Sequence, residues 1–184
     1  MSQITQVVSE DIFKVFILED MPVDLELVKR QVRKFNPQVL FSVARNRAEF
    51  ESKVAVFQPD LILSDYNLPD MNGLEALLYV REHLTSTPFI FITGILNDEE
   101  KVAEGILNGA SGYLLKDNLR NLPTLLRQVV KQNEEAMAQR DIALERRRSL
   151  QLKLRKSIAM LRQHDFPGND EIALSLQEIA DELG

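Results

Sequence analysis

Five side chains of this sequence have types that could do chemistry together: the adjacent carboxylates Glu19 and Asp20, the carboxylate of Asp65, the hydroxyl of Thr93 and the ammonium group of Lys116. Each stands at the end of a short apolar run: FKVFIL before Glu19, LILS before Asp65, FIFI before Thr93 and GYLL before Lys116. Three carboxylates brought together repel one another, and at least one would take up a proton unless a cation joined them. A hard divalent ion resolves the conflict. Mg²⁺ accepts oxygen ligands at about 2.0–2.1 Å and keeps water in the rest of its shell, which leaves positions for phosphate oxygens. An ammonium group and a hydroxyl beside it would donate to the same anion. A carboxylate in such a place can act as the nucleophile towards a phosphoryl donor and become an aspartyl phosphate. Metal and lysine would neutralise the charge that builds on the transferring group.

These residues meet only if the ends of separate strands meet. Runs of β type occur at Phe13–Leu18, Val39–Ala44, Leu61–Ser64, Phe89–Thr93 and Gly112–Leu115. Three of them are nearly continuous apolar stretches, which suit strands covered on both faces. Between them the spacing turns helical. Leu25, Val28, Val32 and Phe35 share one face; Leu74, Leu77 and Leu78 open a second amphipathic stretch; Val102, Ile106 and Leu107 open a third. Pro22, Pro37, Pro59, Pro69 and Pro88 sit at the joints, with glycines at 105, 109 and 112. Five strand–helix alternations predict an α/β fold, an open parallel sheet doubly wound with right-handed crossovers. In such sheets ligands bind at the carboxyl ends of the strands, which is where the five polar residues fall.

Composition narrows the function. Hydrophobic residues make up 45% and charged residues 27% of the 184, the balance of a chain able to bury a core. No apolar run reaches the roughly 20 residues a membrane span needs. The first residues, MSQITQVVSEDIFKV, lack the basic start and apolar stretch of a secretory signal. With no cysteine, disulfides, thiol catalysis and a Cys-ligated metal are excluded, and a cytoplasmic location is expected. The net charge of −6 is segregated. Residues 1–118 carry 11 basic and 18 acidic side chains, residues 119–164 carry 11 basic and 4 acidic, and residues 165–184 carry 6 acidic and no basic.

After Pro123 neither proline nor glycine occurs until Pro167, and good helix formers dominate. One helix of about 40 residues is expected, capped by Asn121 with Pro123 in its first turn. Its 3–4 spacing runs through Leu126, Val130, Met137, Leu144, Leu154, Ile158 and Leu161, interrupted by Asn133, Arg140, Arg147 and Gln151. A turn at His164–Asn169 precedes a short acidic helix with apolar Ile172, Ala173, Leu176, Ile179, Ala180 and Leu183. The run Arg146-Arg147-Arg148 reads as a solvated helix face, and His83 and His164 have no second histidine at ligand spacing. Leu176–Gly184 is weakly similar to the first helix of a helix-turn-helix, without the helix that would enter a groove.

The set Glu19-Asp20, Asp65, Thr93 and Lys116 at these strand ends resembles the receiver domain of bacterial response regulators. The loop Asp65-Tyr-Asn-Leu-Pro69-Asp-Met-Asn-Gly73, Pro88 before the fourth strand, and Tyr113 three residues before Lys116 carry the same resemblance. It extends over about Lys14 to Val130. One departure is Lys116-Asp117-Asn118 where many receivers have Lys-Pro, a variant similar to receivers found at the start of sensor kinases and other multidomain regulators.

The resemblance implies a flavodoxin-like sheet of order 2-1-3-4-5. It implies a receiver domain over 1–122, and the helical spacing after it is assigned to a long helix over 123–165, usable as coiled coil or signalling linker, and a short acidic amphipathic helix over 166–184. It implies Asp65 as phosphoacceptor, Glu19, Asp20, Asp65 and the backbone carbonyl of Asn67 as ligands of Mg²⁺ (or Mn²⁺), Thr93 and Lys116 on the phosphoryl oxygens, and Tyr113 as a switch residue that follows Thr93. The partner would be a sensor histidine kinase or a phosphotransfer protein. A homodimer is expected through the long helix or through the face of the fourth helix, fifth strand and fifth helix. No nucleic acid contact by this chain alone, no membrane insertion, and no enzymatic activity beyond self-phosphotransfer and autodephosphorylation are expected. Two alternatives stay open: a receiver module of a larger kinase, cyclase or other effector, and a receiver-like interaction protein that is never phosphorylated.

Overall fold

In the computed structural model, which describes residues 12–94, 99–163 and 168–182, five strands alternate with helices. They are β1 (Lys14–Leu18), α1 (Pro22–Phe35), β2 (Leu40–Ala44), α2 (Arg47–Phe57), β3 (Leu61–Ser64), α3 (Gly73–His83), β4 (Phe89–Thr93), α4 (Glu99–Leu107) and β5 (Gly112–Leu115). A 3₁₀ helix, Lys116–Asn121, then leads into α5 (Leu122–Arg162), and α6 (Asn169–Glu182) follows. All strand pairs are parallel and the sheet order is β2-β1-β3-β4-β5. Fold class and strand order are those expected, and the strand bounds differ by at most one residue.

Side chains alternate across the pleat, so each strand feeds two cores. Val15, Ile17, Leu61, Leu63, Ile90 and Ile92 face one side, where Leu25, Val28 and Val32 of α1 and Leu122, Leu126 and Val129 of α5 cover them. Phe16, Leu18, Ile62, Phe89 and Phe91 face the other, beneath Phe50 and Val54 of α2 and Ala76, Leu77 and Val80 of α3. Each such side chain, fully buried, contributes about 1.5–3 kcal/mol relative to an exposed one. Because both faces are covered, β3 and β4 are buried along their whole length.

Local signals fix the helix ends. Pro22 stands in the first turn of α1, with Arg33 and Lys34 in its last turn. In α2, Asn46 accepts from the Glu49 amide, and Gln58 closes the helix in a left-handed conformation. In α3, Asn72 and Glu75 form a reciprocal capping box. Two helix faces are only partly those expected, Leu74, Leu77 and Val102 being buried or half-buried. Leu78 on α3 is exposed, and on α4 Ile106 and Leu107 are 57% and 86% exposed. Here α4 meets the sheet through Gly105, where an added Cβ would lie 2.9 Å from the Phe91 ring, and Ile106 and Leu107 stay outside.

A 3₁₀ helix, Lys116–Asn121, precedes α5, which begins at Leu122 directly after Asn121. The chain divides into two compact units, Met1–Asn133 and Glu134–Gly184. The first extends past the expected boundary at 122 because the opening turns of α5 belong to its core. In the second, every residue from Glu134 to Leu150 is exposed, while Ile158, Ala173 and Ala180 are buried. Ile172 and Ile179, expected on the inner face of α6, are about half exposed. His164, most of the expected HDFPGN turn and Leu183 lie outside the described residues. Among the described residues no helix is long and apolar enough to cross a membrane.

Candidate functional site

Parallel strands end on one edge of the sheet, and the change of chain direction between β1 and β3 opens a crevice there. Glu19 and Asp20 leave β1, Asp65 leaves β3, Thr93 ends β4 and Lys116 follows β5. The backbone ties these ends together. The Glu19 amide donates to the Ala44 carbonyl at 3.0 Å, and the Asp65 amide to the Leu18 carbonyl at 2.9 Å. Carboxylate oxygens of Glu19, Asp20 and Asp65 all lie within 4.8 Å of one another.

Lys116 closes the group. Its ammonium nitrogen is 2.7 Å from Asp65 Oδ2, 2.8 Å from Glu19 Oε2 and 2.6 Å from Asp24 Oδ2. Burial alone would lower the lysine pKa, but hydrogen bonds to Asp24, Asp65 and Glu19 outweigh it and hold the group well above the ordinary lysine range. Burial pushes the Glu19 carboxyl up, and Lys116 only partly offsets this. The second oxygen of Glu19 accepts from the Met21 amide at 3.1 Å, so the same carboxylate holds the turn into α1.

Thr93 is buried, and among the described residues its hydroxyl has no hydrogen-bond partner. A buried hydroxyl without a partner is costly. At the end of β4, beside strand β3 and its Asp65, it is a donor available to an incoming anion. The charge balance also fits a divalent ion: three carboxylates share one buried crevice, and Lys116 supplies a single positive charge against them. The donor set is all oxygen, the kind a hard cation takes.

The loop after Asp65 is held from both sides. The Asn67 amide donates to Asp65 Oδ1 at 3.3 Å, and the Gly73 amide donates to the Tyr66 carbonyl at 2.7 Å. At Gly73 an added Cβ would lie 2.7 Å from the Asp65 carbonyl oxygen and 2.8 Å from the Phe91 ring, so only glycine fits. Both Asp70 carboxylate oxygens accept from the Arg47 amide, and the Arg47 guanidinium pairs with Glu75, tying the loop to α2 and α3.

The five residues singled out from sequence thus come to one edge. Asn67 stands beside Asp65, touching its carboxylate through the amide. Tyr113 is half-buried on β5, its ring centroid 6.4 Å from Phe91 and paired across the ladder with that residue. It lines the aromatic core beside the site and is absent from the carboxylate group. Asp24 was missed. Its one sequence signal is an acidic residue in the first turn of the helix that follows the acidic pair, a place where acids are common for dipole reasons alone.

The sequence model of the response regulator receiver domain matches residues 15–128. The chain belongs to the response regulator receiver family. Over 109 residues the receiver is 38% identical to the transcriptional regulatory protein YdfI of Bacillus subtilis, a match covering 56% of this chain and 48% of that protein. The chain therefore spans about half the length of the curated relatives it matches. Its fold is shared with a CheY-like receiver domain protein of Methanospirillum hungatei, at TM-score 0.61 and 23% identity over 68% of this chain and 98% of the other. The phosphorylated cyanobacterial phytochrome response regulator RcpA superposes at TM-score 0.52 with 26% identity, covering 67% of this chain and 92% of its own.

Proposed function

We propose that the receiver takes a phosphoryl group on Asp65 from a phosphohistidine of a sensor histidine kinase or phosphotransfer protein, and that the change is read through α5. The observation that carries this is the Asp65 carboxylate bound to Lys116 at the strand edge where, among the described residues, the Thr93 hydroxyl is left without a partner. In the step, one Asp65 oxygen forms the bond to phosphorus while the donor's bond to phosphorus breaks, and the donor leaves with the electron pair. Lys116 and Thr93 donate to the phosphoryl oxygens and oppose the developing charge. Glu19, Asp20, Asp65 and the Asn67 carbonyl would hold Mg²⁺ (or Mn²⁺), which supplies charge neutralisation when bound. Water then hydrolyses the acyl phosphate, so the chain acts as a switch and catalyses only its own phosphotransfer and dephosphorylation. The phosphorylated state of RcpA, which shares this fold, is in keeping with the reading.

Output through α5 rests on its continuity. The helix starts in the receiver core with Leu122, Leu126 and Val129 and runs unbroken to Arg162. Population shift at the strand edge would favour one packing of that helix root and of Thr93 with Tyr113. A homodimer through α5, or through α4, β5 and α5, would read the shift.

Incubation with acetyl phosphate and Mg²⁺, followed by intact mass, tests the first claim. Wild type should gain one phosphoryl group and Asp65→Asn none. No gain in wild type, where a control receiver reacts, overturns it.

A further inference from the structure

Lys116 has three carboxylate partners, and one of them belongs to none of the roles above. Asp24 lies on α1, 92 residues from Lys116 in the chain, and its Oδ2 is 2.6 Å from the ammonium nitrogen. Glu19 and Asp65, the other two partners, are also members of the group whose oxygens converge for a cation; Asp24 is not. The three differ in exposure as well, with side-chain values of 2% for Glu19, 10% for Asp65 and 32% for Asp24. A cation bound between Glu19, Asp20 and Asp65 would compete for the oxygens that now hold the lysine, and two cations side by side repel. Only Asp24 would keep its claim on Lys116.

We propose that Asp24 is a positioning residue: it holds the Lys116 ammonium group on the rim while Glu19, Asp20 and Asp65 receive the cation, so that the lysine meets the incoming phosphoryl oxygen already placed. This rests on the phosphoacceptor reading. Without Asp24 the lysine's flexible stem is free to leave the edge or to stay on Asp65, the nucleophile it would mask. The phosphoryl-transfer rate falls, while the cation site keeps its ligands.

The full chain with Asp24→Asn and with Asp24→Glu tests this. With Mg²⁺ bound, when Glu19 and Asp65 are engaged by the cation, the side-chain ammonium signal of Lys116 in a ¹H–¹⁵N correlation spectrum reports whether the group is held. It should be sharp in wild type and in Asp24→Glu, and broadened by solvent exchange in Asp24→Asn. At saturating Mg²⁺, the acetyl phosphate reaction of Asp24→Asn should slow by about three- to tenfold, with Asp24→Glu recovering much of the rate. Calorimetric Mg²⁺ affinity of Asp24→Asn should weaken by less than about fivefold, the effect of a lost nearby charge. An unchanged ammonium signal or an unchanged rate in Asp24→Asn overturns the proposal. So does a loss of Mg²⁺ affinity beyond about tenfold, which would make Asp24 a ligand. If wild type itself gains no phosphoryl group, the phosphoacceptor reading falls and this one with it; failure of Asp24→Asn to differ from a reactive wild type sinks only this one.

Discussion

At the residue scale, Lys116 carries the largest electrostatic consequence. Its charged form is held by Asp24, Asp65 and Glu19, and its pKa in the folded chain lies above the ordinary lysine value of about 10.4. A raised folded pKa means the native state binds the proton more tightly than the unfolded chain. The contribution is fully present below about pH 10.4 and is lost as pH rises through the higher folded value. In metal-free protein, Lys116→Met should therefore be less stable than wild type at neutral pH, since three carboxylates lose their counter-charge. That gap should narrow on going above about pH 10.4, as followed by urea unfolding. Glu19, Asp20, Asp65, Thr93 and Lys116 were legible as neighbours because each sits where a strand stops. Asp24 stayed hidden because its importance lies in a contact 92 residues away, which no local pattern encodes.

At the scale of elements, the loop between β3 and α3 is the part that tolerates least. Gly73 packs its missing side chain against the backbone of Asp65 and Tyr66 as well as the Phe91 ring. Gly73→Ala should cost about 1–3 kcal/mol in urea unfolding, because the Cβ meets main-chain atoms that cannot rotate away. The same variant should lose phosphoryl uptake by intact mass, since the residue displaced is Asp65, the proposed phosphoacceptor. The central strands β1, β3 and β4 were legible to within one residue because burial on both faces leaves an unmistakable apolar run. Helix faces were less so. Periodicity tells that α4 has an apolar side, but Gly105 is what approaches Phe91, and Ile106 and Leu107 remain outside. The 3₁₀ helix at Lys116–Asn121 was not foreseen, for its sequence KDNLRN carries only turn signals.

At the scale of the whole molecule, α5 joins a packed root to an exposed shaft. Met137 and Leu144, on the interrupted 3–4 seam, are 40% and 50% exposed, and a homodimer through that seam is the reading to test. We expect light scattering to give a dimer mass for the chain. Met137→Glu with Leu144→Glu should reduce it to the monomer mass, and Ile106→Glu on α4 should leave it unchanged. The reverse pattern would move the interface to the α4 face. The basic run Arg146–Arg148 is exposed, in line with a solvated face. A continuous helix has one further property, phase. Each residue turns the chain by about 100°, so adding a single residue between Glu134 and Leu150 would swing all later side chains by that angle about the axis. Adding seven would restore their heading to within about 20°. Any message carried by which way those later side chains face about the axis would thus be garbled by the first insertion and kept by the second.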